Sequence, residues 1–247
     1  MNTTLRSLAP SLVLALFLVG PLAAQTSIHY QETFAGLTGN QAFSAYGWSA
    51  HAGPAASDRS GNVFTGSNDG QFVSGSGISP DSTTGIGAKT FATTGRTAIE
   101  WTAEFAPVST DLVSSISFQG RNDNSADIQR IAIRIDTTWY VSSATFANPT
   151  STVWQQHTLT FTTGAAAWLS LDFVPGSSLS AGVVLTSDLP SGNLTAIGLF
   201  NPTHAGTFRF DNVTLTTLAI PEPSTCAILG GFGALVCAVF LRRRRAA

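Results

Sequence analysis

The chain has 247 residues and a formal net charge of −2, with only 11% of its residues charged. Setting aside Arg6 and Arg242 to Arg245 leaves seven of the 12 basic residues, against thirteen of the 14 acidic ones once Glu222 is removed. Residues 25–220 therefore offer no basic patch for phosphates, which argues against nucleic acid as a partner.

In chain order, the first segment reads as a secretory signal peptide. Arg6 supplies positive charge, Leu12 to Val19 is uninterrupted apolar sequence, and Gly20 to Ala24 gives a helix break followed by small residues. The apolar stretch is far shorter than the ~20 residues that span a bilayer, so cleavage after Ala24 is expected rather than a retained anchor. Signal peptidase and the secretion translocon are the partners this implies.

Residues 25–220 carry apolar residues at period two. Trp101, Ala103 and Phe105 alternate with Glu100, Thr102 and Glu104; Ile131, Ile133 and Ile135 alternate with Arg130, Ala132 and Arg134. Leu159 with Phe161, and Leu169 with Leu171 and Phe173, each line one face of a Thr- and Ser-rich run. Turn clusters such as SDRSGN, TGSNDG, GRNDNSAD and VPGSS separate these runs. The pattern predicts one all-β domain, a two-sheet antiparallel β-sandwich of jelly-roll type.

Within that domain the catalytic signals are weak. Glu100 and Glu104 lie four strand residues apart, about 13 Å, wider than the ~5–9.5 Å between glycosidase carboxyls, so they read as solvated groups on an outer face. His29, His51, His157 and His204 form no close pair and read as surface or hydrogen-bonded residues. NDNSAD lacks the glycine and terminal glutamate of an EF-hand loop, and GSGIS does not fit the nucleophile elbow. Sugar rings stack on indole faces, so the five tryptophans are glycan-binding material. Trp101 is in phase with core residues, whereas Trp139, Tyr140 and Trp168 are the candidate stacking residues. In TFRFDNVTLTT the apolar phase changes from Phe208 and Phe210 to Val213 and Leu215, which predicts a bulge at Asp211-Asn212.

YQETFAGLTG at the start, VWQQHTLTFTTG and AWLSLDFVPG in the centre, and GTFRFDNVTLTT at the end resemble concanavalin A-like or laminin-G-like jelly rolls. Galactose-binding-like carbohydrate modules open and close in a similar way, and the superfamily stays open between them. The resemblance implies that first and last strands lie together and that carboxylates there hold a structural calcium ion, with Glu32 and Asp211 in the corresponding places. Calcium needs six to eight oxygens, so carbonyls and water have to complete that shell.

The last segment, 221–247, begins with Pro221-Glu222-Pro223, runs uncharged from Thr225 to Leu241, and ends in Arg242, Arg243, Arg244 and Arg245 before two alanines. Seventeen helical residues cover about 25 Å, the short limit for a transmembrane helix, and the arginines stay cytoplasmic by the positive-inside rule. Cys226 and Cys237, the only cysteines, stand about 16 Å apart on such a helix and do not pair, so residues 25–220 hold no disulfide and no cysteine nucleophile. The residues alone fit either a permanent anchor or a removable tail. Their three-part order resembles the PEP-CTERM sorting signal of Gram-negative bacteria, which implies recognition of Pro221, Glu222 and Pro223 by exosortase, a membrane-embedded transpeptidase, and loss of the tail.

Taken together, these features predict three segments: signal peptide 1–24, β-sandwich 25–220 and sorting signal 221–247. The expected protein is exported, held briefly at the inner membrane, and then placed at the cell surface or in an extracellular polysaccharide matrix as a non-catalytic component. A secreted polysaccharide-degrading enzyme and a purely structural, self-associating matrix protein are the alternatives.

Overall fold

The structure is a computed structural model that describes residues 25–34, 41–42, 47–52, 62–63, 70–74, 86–91, 97–122, 127–148, 153–174, 178–203, 207–219 and 242–243. The expected signal peptide, Pro221 to Pro223, the apolar run 225–241, Arg244 and Arg245 lie outside these residues. Arg242 and Arg243 are helical and exposed, and no helix among the described residues is long and apolar enough to cross a membrane.

Two antiparallel sheets make the fold. The first runs in the order β13 (Gln155–Thr160), β9 (Val113–Asn122), β17 (Thr207–Leu218), β6 (Ile86–Phe91), β5 (Gly70–Ser74) and β2 (Gln41–Ala42), with β1 (Thr26–Glu32) also paired to β17. The second runs β15 (Ser178–Val184), β14 (Trp168–Val174), β11 (Thr138–Ser142), β10 (Asp127–Ile135), β16 (Asn193–Asn201), β7 (Ala98–Thr102), β3 (Trp48–Ala52) and β4 (Asn62–Val63). Two short strands join it, β12 (Phe146–Asn148) on β10 and β8 (Val108–Ser109) on β16. Between the sheets, Ile116, Phe118, Phe208, Phe210 and Leu215 of the first pack with Ile131, Ile133, Ile197 and Leu199 of the second. Each such side chain contributes ~1.5–3 kcal/mol by leaving water, so this interface is the main source of stability.

The expected sandwich is therefore present, and its ends meet: Thr26 pairs with Leu218 and Glu32 with Val213. The expected bulge is present too. Register slips between Asp211 and Thr214, and Asn212 takes φ 49°, a left-handed conformation that asparagine tolerates well.

Simple alternation fails in the second sheet. Ala132, expected on a polar face, is fully buried, as are Ala196 and Phe200. They belong to a second apolar cluster with Ile99, Trp139, Val141, Leu171, Phe173 and Leu179, on the face opposite the inter-sheet core. The sheet itself covers this face. β3 and β14 are five strands apart, about 24 Å in a flat sheet, yet the rings of His51 and Phe173 lie 5.4 Å apart. Thr97 Oγ1 also donates to the Leu179 carbonyl at 3.2 Å, tying the start of β7 to β15. The second sheet thus curls around its own aromatic cluster.

Glu100 corrects the expectation of an outer-face carboxylate. It lies opposite Ala50 and Leu199, both in the inter-sheet core, and is 1% exposed. β7 is a central strand, and the phase that carries Glu100 faces the other sheet, so the carboxylate does not meet solvent. The alternation through Ala103 and Phe105 also ends with the strand at Thr102, and Ala103 and Glu104 are exposed.

Candidate functional site: the curled side of the second sheet

Small residues make room for large rings on the curled side. Ala132 pairs with Gly198, and Gly198 with Trp101, so the middle of this face carries almost no side-chain bulk. Trp101 reaches across that gap. Its ring sits 5.9 Å from Trp139 on β11 and 4.9 Å from Phe173 on β14, and Trp139 is 5.4 Å from Phe173. The three contacts are edge-to-face, the arrangement that aromatic quadrupoles favour. Trp139 is 8% exposed and Trp101 is partly exposed, so the rim of the cluster meets solvent while its base is dry.

Arg134 lies directly opposite Trp139, with its guanidinium 5.6 Å from the ring centroid. Its Nε donates to Thr195 Oγ1 at 2.9 Å and its Nη2 to the Thr195 carbonyl at 3.3 Å, which fixes the plane of the group. Arg130, four residues earlier in the same phase, donates from Nη1 to the Ser142 and Ser143 carbonyls, each at 2.6 Å. His51 shares this side, buried and held below the usual imidazole value by desolvation, which favours its neutral form.

No family model matches the chain, and no curated protein matches it. Among solved structures, the chain is similar to a family 11 carbohydrate-binding module from Clostridium thermocellum in complex with a β-1,3-1,4-mixed-linked tetrasaccharide, at 15% identity and TM-score 0.44, over 76% of this chain and 96% of that one. The family 11 module of the cellulosomal cellulase Lic26A-Cel5E of the same organism gives 16% identity and TM-score 0.45, over 78% and 95%. A xylanase 10B from that organism, comprising CBM22-1 and GH10 modules complexed with xylohexaose, gives 11% and 0.44, over 77% of this chain and 28% of that one.

The candidate residues from the sequence fall in different places. Trp139 is in the curled-side cluster. Tyr140, its neighbour, points the other way and packs at the margin of the inter-sheet core. Trp168 is 1% exposed in that core, beside Phe161, with its indole N–H donating to the Thr162 carbonyl at 2.6 Å; it presents no open face for stacking. Sequence reasoning missed Trp101, Phe173 and the two arginines as site residues. Arg130 and Arg134 share the phase of Ala132, a signal visible in DIQRIAIRI only to a reader who knows that this phase is enclosed.

At the β1–β17 join, Glu32 Oε1 accepts from the Phe34 amide at 2.7 Å and Asp211 Oδ1 from the Asn212 amide at 2.6 Å. Glu32 lies opposite Val213, whereas Asp211 lies opposite Gln119 across the bulge. Burial holds the Glu32 carboxyl above its ordinary range, against hydrogen bonds from Phe34, Thr33 and Tyr30 that pull it down. No group of three or more His, Cys, Asp or Glu among the described residues is placed to hold a metal ion.

Proposed function

We propose that this is an exported protein, sorted through its C-terminal segment by an exosortase-like transpeptidase, whose β-sandwich associates with extracellular polysaccharide at the cell surface without cleaving it. The observation that carries the polysaccharide reading is the cluster of Trp101, Trp139 and Phe173 on the curled side, with Trp101 open to solvent at its rim. Supporting the non-catalytic part, Glu100 is inside the core while Glu104 is exposed beyond the strand end, so these two carboxylates share no cleft. A structural calcium ion at the β1–β17 join is part of the proposal, with Glu32 and Asp211 supplying two of its oxygens.

A glycan array probed with the protein and with Trp101→Ala is the test. Binding lost in the variant, with thermal stability kept, supports the reading; an array with no bound glycan removes it. Reducing-sugar release from any bound polymer would instead favour the degrading enzyme.

Self-association has an observation of its own. Ser180 to Val184, on the edge strand β15, are all exposed, carry no charge and include no proline, and Val183 is 77% exposed. Uncharged open edges invite strand pairing. Val183→Lys lowering the sedimentation-derived mass of an oligomer is the result that favours this reading.

A further inference from the structure

We propose that the curled side of the second sheet selects acidic polysaccharide, with Arg130 and Arg134 receiving the carboxylates of uronate-type sugars while Trp101, the partly exposed indole of the cluster, contacts a ring face and buried Trp139 holds Arg134 in place. The inference rests on the polysaccharide reading above and adds the chemical class of the ligand.

Residues 25–220 hold seven cations against thirteen anions, so an unselective surface is net acidic and repels a polyanion. Two of those seven cations stand on this one face. Arg134 is opposite Ala196, and Arg130 is opposite Phe200, both members of the curled-side cluster, so both arginines share its phase. Glu100 on β7 and Asp172 on β14 alternate with the curled-side residues Ile99, Leu171 and Phe173, and so belong to the opposite phase. Among the described residues no carboxylate of these strands shares the phase of the arginines.

Both guanidiniums are held by neutral acceptors, the Ser142, Ser143 and Thr195 carbonyls and the Thr195 hydroxyl, so their charge is oriented but not neutralised by these bonds. A guanidinium laid over an indole at 5.6 Å is stiff and weakly hydrated, and its remaining N–H groups form the fork that matches a carboxylate. The four-residue separation spreads the two charges over about 13 Å of strand. That span suits a polymer contacted through more than one sugar, with the partly exposed indole of Trp101 alongside.

The test uses the full-length chain held in detergent and two forms of one polymer: a polyuronate, and the same polymer after reduction of its carboxyls to hydroxymethyl groups. Tighter binding of the polyuronate is expected, with the preference shrinking as salt rises from low to physiological concentration. Arg134→Gln is expected to weaken polyuronate binding about tenfold and the reduced polymer by a smaller factor, so that the preference between the two shrinks. Arg134→Lys keeps part of the preference, and Arg130→Gln serves as a second, independent variant should the first fail to fold. Trp101→Ala weakens both polymers alike. Equal binding of the two polymers, or a preference that survives both arginine substitutions, overturns the acidic-ligand proposal and leaves the polysaccharide reading standing. Binding of neither polymer, together with a blank glycan array, overturns both.

Discussion

Gly198 shows how narrow the tolerance of the curled side is. A β-carbon there falls on the Glu100 carbonyl oxygen and comes within 2.8 Å of Trp101 Cβ; the first of these is backbone and has no room to yield. Gly198→Ala is therefore expected to cost roughly 1–3 kcal/mol of stability, the range for overpacking, and to displace Trp101. Urea unfolding measures the first and indole fluorescence the second, and a variant as stable as the parent contradicts the packing described. His51 and His157 set a pH dependence. Desolvation holds both below 6.5, although His157 keeps a hydrogen bond between Nε2 and Asn148 Oδ1 at 3.0 Å. The unfolded chain then binds more protons than the folded one, so stability is full above pH 6.5 and falls as pH drops through the lowered folded values. Glu32, raised above 4.5, acts in the opposite sense: its contribution is present below 4.5 and lost as pH rises through its folded value. The histidine part is accordingly read as the difference between parent and His157→Gln from pH 7.5 to 5, which should show a shallower decline in the variant. Identical slopes refute the assignment to His157.

Strands β1 and β17 hold the two ends of the domain together, and Ser27 Oγ lies 3.2 Å from Thr217 Oγ1 across that pairing. If calcium sits at this join, its presence at one hundred times the dissociation constant stabilises the fold by ~2.7 kcal/mol. The expected outcome is a higher unfolding midpoint with calcium than with chelator, abolished in Asp211→Ala. A midpoint indifferent to calcium removes the ion from the proposal. The bulge that re-aims Asp211 was legible in TFRFDNVTLTT because a continuous strand keeps its apolar residues on one face across a phase change only by inserting an extra residue. The two-faced burial of β10 was not legible in DIQRIAIRI. Alanine in the alternate phase fits a solvent-facing strand as well as a floor beneath two indoles, and only the curl that brings Phe173 to His51 decides between them.

For the whole chain the central prediction concerns the tail. From the sequence, Pro221 and Pro223 are expected to keep the chain extended ahead of a short apolar run and an arginine cluster, and under the proposed function that segment is where the transpeptidase cuts. Cells with the sortase are expected to process the protein near Pro221, and Glu222→Ala to leave a larger inner-membrane species. Mass spectrometry of the envelope form that finds Arg242 to Arg245 still attached rules this out. The folded domain adds an independent expectation: purified protein releases no reducing sugar, and Glu100→Gln or Glu104→Gln alters no such rate.

Local chemistry was enough to settle the broad class. Period-two apolar runs with turn clusters between them leave an antiparallel sandwich as the economical way to bury one face per strand, and the structure has that form. The identity of the site was not available at that level. Trp168 and Trp139 look alike along the chain, yet one is sealed beside Phe161 in the inter-sheet core and the other stands beneath Arg134 on the curled side. Glu100 likewise reads as solvated until Ala50 and Leu199 are seen on either side of it. Phase along a strand specifies which residues share a face; sheet order and curvature specify what that face meets, and both are set by contacts between residues far apart in sequence.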